Sequence, residues 1–139
     1  MYELDENTAR CKRIAEELES YYNGEIYRCP DCNSEIEIDE EEEKHICPCC
    51  GKEIDLNEAE QLSLWDYFTY DIYNIEYRCD GSKEYISVQV MIACGGPNIY
   101  IDTASGAVEL YWWSENARWP IAREVIEEID AFFEECFNC

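Results

Sequence analysis

Basic residues are what this 139-residue chain most lacks: ten Lys and Arg stand against 33 Asp and Glu, for a formal net charge of −23. Gripping phosphate requires clustered Lys and Arg, so direct binding of nucleic acid is excluded as a reading. A single histidine, His45, leaves little for acid–base catalysis or for a histidine-ligated catalytic metal. Gly95-Gly96-Pro97 lacks the lysine and following helix of a phosphate loop, and no His-Glu metalloprotease helix occurs. Cys94 beside those glycines could be a nucleophile, but a low-pKa thiolate needs neighbouring positive charge. No enzyme activity is expected. No apolar run approaches a membrane span, and Met1-Tyr2-Glu3-Leu4-Asp5-Glu6 has neither the basic nor the apolar region of an export signal.

What is present argues for a folded protein. Hydrophobic residues make up 47% of the chain and aromatics 14%, enough for a real core. The acidity runs throughout: residues 1–60 carry 19 acids and 6 bases, and residues 61–139 carry 14 and 4. Such a surface either serves solubility or faces a strongly basic partner.

Ten cysteines are the other excess. Cys29-Pro30-Asp31-Cys32 and Cys47-Pro48-Cys49-Cys50-Gly51 are two Cys-x-x-Cys pairs separated by fourteen residues. Each pair brings two sulfurs together in a tight turn, and the two pairs can supply four thiolates to one tetrahedral zinc. Pro30 and Pro48 fix φ after the first ligand, while Asn33 and Gly51 tolerate the left-handed conformation after the last. This pattern over residues 25–55 resembles the zinc-ribbon superfamily, whose knuckles read Cys-Pro-x-Cys-Gly; Asn33 replaces the first glycine. The resemblance implies a structural zinc on Cys29, Cys32, Cys47 and Cys50, with a shell closed to water. Iron on the same thiolates is the alternative metal. Paired knuckles without an export signal favour a reducing cytoplasm over disulfides. Cys49 is a spare thiol or an alternate ligand, and Cys79, Cys94, Cys136 and Cys139 could form a second metal site.

The expected fold is α+β. An N-terminal helix over residues 5–22 carries Cys11, Ile14, Leu18 and Tyr21 on one stripe. In the ribbon, Ile36 and Ile38 alternate with Glu35 and Glu37, and Asp39, Glu40, Glu41, Glu42 and Glu43 form a solvated tip. Asn57 with Glu60 suggests a capping box opening a helix to about Phe68. Period-two alternation from Ile72 then predicts a four-stranded antiparallel meander: 72–79, 85–94, 98–103 and 107–113, with Asp80-Gly81 as a hairpin turn. A C-terminal helix beginning near Pro120 should cover one sheet face with Val125, Ile129 and Phe133. The division is N-terminal helix 1–24, zinc ribbon 25–55 and α+β domain 56–139. Trp112 is expected to be buried with Leu110, and Tyr111 and Trp113 to face the opposite, uncovered side, as aromatics enriched at interfaces do.

The candidate partner surface is therefore Glu35, Glu37, the 39–43 tip, Tyr111, Trp113, and Glu124, Glu128 and Glu135 on the last helix. Those three span about 16 Å along the axis, a few phosphate steps of a duplex. Size, acidity and missing catalytic motifs resemble phage-encoded anti-CRISPR or anti-restriction inhibitors that mimic DNA. That resemblance implies a non-catalytic inhibitor occupying the basic groove of a nucleic-acid-handling protein. The competing reading is a zinc-ribbon adaptor in a transcription or replication complex, and the second alternative is an uncharacterised enzyme.

Overall fold

The structure, a computed structural model, describes residues 4–69 and 72–139. Helix α1 (Glu6–Tyr22) starts where the Asp5 carboxylate accepts the Thr8 amide at 2.8 Å, satisfying one of the donors that a helix start leaves free. Its stripe Cys11, Ala15, Leu18 and Tyr21 is buried. Three short strands follow, β1 (Ile26–Arg28), β2 (Glu35–Glu37) and β3 (Glu60–Gln61), in the order β2-β1-β3. After α2 (Leu64–Tyr67) come β4 (Asn74–Cys79), β5 (Tyr85–Ala93), β6 (Asn98–Asp102), β7 (Ala107–Trp112) and β8 (Glu115–Pro120), then helix α3 (Arg123–Phe137). These five strands form one antiparallel meander in sequence order.

The main core lies on one face of that sheet. Val88, Val90, Ile99, Ile101, Val108 and Leu110 are almost wholly buried beneath the stripes of α1 and of α3 (Val125, Ile129, Phe133). Register explains the selection: Val90 pairs with Ile101, Ile101 with Val108, and Ile99 with Leu110, so period-two alternation keeps all of them on one side. The alternate positions form the open face, where Tyr100 and Tyr111 meet edge-on at 5.9 Å. Arg78 there donates to both Asp102 oxygens at 2.9 and 2.8 Å. A second core, Tyr27, Cys29, Ile36, Ile38, Cys47 and Ile54, fills the ribbon. Strand β1 joins the two, with Ile26 buried in the main core and Tyr27 in the ribbon core.

Several expectations are corrected. The meander has five strands, not four, because residues 115–120 pair with β7 instead of leading into the last helix. Pro120 ends β8, so it closes a strand and does not open the helix, which begins at Arg123. The helix expected from Asn57 to Phe68 is replaced by a turn, β3 and the single turn α2. Pairing wins there: the Leu62 amide donates to the Ile26 carbonyl at 2.8 Å, which holds the chain extended. Residue Ser63, not Asn57, begins the helix, its amide donating to the Asp66 carboxylate at 2.7 Å. Trp112 has the inward parity but is 37% exposed, since it ends β7 beside an open groove at the start of α1. The expected strand start at Ile72 moves to Asn74; residues 70 and 71 lie outside the described residues.

Candidate metal centre and acidic surface

The two knuckles repeat one backbone pattern. The Cys29 amide donates to the Ser34 carbonyl at 2.9 Å and the Asn33 amide to the Cys29 carbonyl at 2.9 Å. In the second knuckle Cys47 donates to Lys52 at 2.9 Å and Gly51 to Cys47 at 2.8 Å. Asn33 and Gly51 take φ of +61° and +75°, the left-handed turn their residue types tolerate. An Ile46–Glu53 bridge closes the second loop.

These turns bring four sulfurs together. The sulfur atoms of Cys29, Cys32, Cys47 and Cys50 all lie within 4.8 Å of one another, with Cys32–Cys47 at 3.5 Å and Cys29–Cys50 at 3.8 Å. A tetrahedron with metal–sulfur bonds of about 2.3 Å has edges of about 3.8 Å, so the set matches zinc coordination. The separations are far too long for disulfides, and all ten cysteines are free. Cys29 and Cys47 are fully buried, Cys32 half-buried and Cys50 exposed.

The thiols do not ionise alike on their own. The Ser34 hydroxyl and amide, with help from Cys47 and Cys29, bring Cys32 down to about 6. At Cys50 the Lys52 amide lowers the pKa, but desolvation and the hydrogen bonds of Cys47, Cys29 and Cys32 outweigh it and push the thiol up to about 12. Cys32 thus forms a thiolate readily, whereas Cys50 in the same cluster resists the charge. A dication at the centre removes that resistance, which is why such a donor set suits a divalent metal. Four protein ligands complete the shell, so the group fits a structural ion. His45, half-buried, takes part through its backbone, its carbonyl accepting the Ile54 amide at 2.7 Å.

The other cysteines do not converge. Cys79 ends β4 opposite Tyr85, whereas Cys94 follows the far end of β5. Among the described residues, no further group of three or more His, Cys, Asp or Glu side chains comes together as these four do. Cys49, exposed beside Cys50, stands outside the set.

The acidic candidates are at the surface: Glu35, Glu37, Asp39, Glu40, Glu41, Glu42 and Glu43 on the ribbon, and Glu124, Glu128 and Glu135 on α3, are all exposed. Glu35 is committed locally. Its carboxylate accepts the Tyr21 hydroxyl and lies 3.9 Å from Arg28. Ion pairs among the described residues engage Glu16, Glu35, Glu60, Asp31 and Asp102. None involves the 39–43 tip or the α3 carboxylates. Tyr111 is 46% exposed and Trp113, in the β7–β8 turn, 89%. Sequence reasoning placed Tyr21 on the helix stripe but missed its bond to Glu35 and the role of Ser34, because neither that bond between elements nor the Ser34 hydroxyl beside Cys32 has a pattern of its own.

The site and fold define a zinc-ribbon-like cluster of four cysteines that could hold a metal ion, within a chain of mixed helix and sheet. Comparison with family models, with curated proteins and with solved structures found no match to the chain. Among the described residues, no helix is long and apolar enough to cross a membrane.

Proposed function

We propose that this is a non-catalytic protein, stapled by zinc and acting in the cytoplasm, whose acidic surface occupies a basic groove on a protein that handles nucleic acid. It would work as a DNA-mimic inhibitor of the anti-CRISPR or anti-restriction kind. The observation that carries this reading is the set of carboxylates at residues 37 and 39–43 and on α3, which are exposed and enter none of the ion pairs among the described residues. Unpaired like charges repel and oppose folding, so a surface that keeps them gains nothing in stability from them. Against a basic groove the same charges speed encounter and displace the anion that normally fills it. The metal would act only on structure, holding the knuckles so that β2 and the acidic tip are displayed rigidly.

The test is capture on the immobilised protein at low and high salt, followed by identification of what is retained. A basic nucleic-acid-binding protein should be held at low salt, released at high salt and displaced by duplex DNA. Retention that is indifferent to salt and to DNA contradicts the reading.

A further inference from the structure

The hairpin joining β7 to β8 turns through Trp113 and Ser114. Trp113 has φ of +56°, in the left-handed region that glycine enters freely and a tryptophan resists. It is 89% exposed, so the indole gains almost no burial where it stands. Trp112 stands against it at 6.1 Å with rings perpendicular. The Trp112 ring is held from below by close approach to Gly96, where an added Cβ would come within 2.4 Å of it. Two indoles are thus presented at a hairpin tip, one fixed by packing and the other open to solvent.

Beside them lies an open groove of about 570 Å³, lined by Asp5, Glu6, Asn7, Trp112, Glu115 and Asn116.

The groove lining holds three carboxylates and no base. The Thr8 amide and hydroxyl hold the Asp5 carboxyl below its ordinary range, so it is charged at neutral pH. Asn7 donates to Glu115 at 3.3 Å and steadies it over the groove. The start of α1 contributes an opposing charge of about +0.5, which three carboxylates outweigh. Aromatic faces beside unneutralised carboxylates match one chemistry above others, a guanidinium that stacks on indole while its N–H groups reach the acids.

We propose that Trp112, Trp113, Asp5, Glu6 and Glu115 form a docking groove for an arginine-bearing segment of a protein partner. This rests on the basic-partner reading above and names where and how that partner is gripped. Arginine is preferred to lysine because its planar group both stacks and forks, whereas an ammonium offers only a point charge.

The test is fluorescence anisotropy with labelled hexa-arginine and hexa-lysine peptides on the full chain. Trp113→Gly should weaken hexa-arginine by about tenfold, change hexa-lysine by less than about twofold, and leave the thermal midpoint unchanged or higher. Glu6→Gln with Glu115→Gln should weaken both peptides and flatten the salt dependence. If Trp113→Gly leaves hexa-arginine unchanged, or weakens both peptides equally, the groove assignment is overturned while the basic-partner reading stands. If neither peptide binds the wild-type protein, both fall.

Discussion

Replacing Tyr21 with Phe tests how the ribbon is fastened to the main domain. Tyr21 is buried in the main core on α1, and its hydroxyl donates to the Glu35 carboxylate on β2. A hydrogen bond to a charged acceptor contributes about 1.5–3 kcal/mol. Glu35 keeps Arg28 at 3.9 Å and a side chain 42% exposed, so water replaces part of what is lost. The expected cost is therefore about 1–2 kcal/mol, or roughly 3–6 °C in thermal midpoint. Circular dichroism gives the midpoint. Hydrogen exchange should show faster opening at the Ile38 and Leu62 amides, which donate to Glu25 and Ile26 at the same junction. The pH dependence has a definite sign. Burial first, then the Glu35 hydrogen bond, raises the Tyr21 pKa, so its contribution is complete below about pH 10 and is lost as pH rises beyond the unfolded value. The gap between wild type and Tyr21→Phe should narrow above that pH. An unchanged midpoint with unchanged exchange at both amides would refute the reasoning.

Two further outcomes follow from the geometry. Arg78→Ala removes both hydrogen bonds to Asp102, which is 4% exposed, and should cost about 1.5–3 kcal/mol in chemical denaturation. Burial alone would raise the Asp102 pKa, but Arg78 and the Ser105 and Ala104 amides bring it below the ordinary value. Its stability is thus present above about pH 4 and lost as pH falls, and the loss should begin at higher pH in the variant. Cys29→Ser with Cys32→Ser should melt the ribbon core while near-ultraviolet signals from the main core persist, because the two cores are separate clusters.

Elements fixed by local pattern were legible in the sequence. The knuckles were, because four ligands, Asn33 and Gly51 act within two short turns. The inward rows of β5, β6 and β7 were, because alternation is a property of each strand alone. Strand β8 was not, since its hairpin turns through Trp113 where a glycine or asparagine would have marked it, and only Ala117 and Trp119 pack on the core. Strand β3 has two residues and exists only through its pairing with β1. Trp112 shows the limit of parity, which gives a side but not how fully that side is covered. The four-cysteine cluster was readable for the same local reason, whereas a partner surface depends on which residues the fold leaves uncovered.

Native mass spectrometry of the purified chain tests the central claim most directly. The account predicts one zinc per chain, absent from the Cys29→Ser, Cys32→Ser variant and unaffected by Cys79→Ser or Cys136→Ser. A metal-free wild-type chain that keeps its ribbon folded would contradict it.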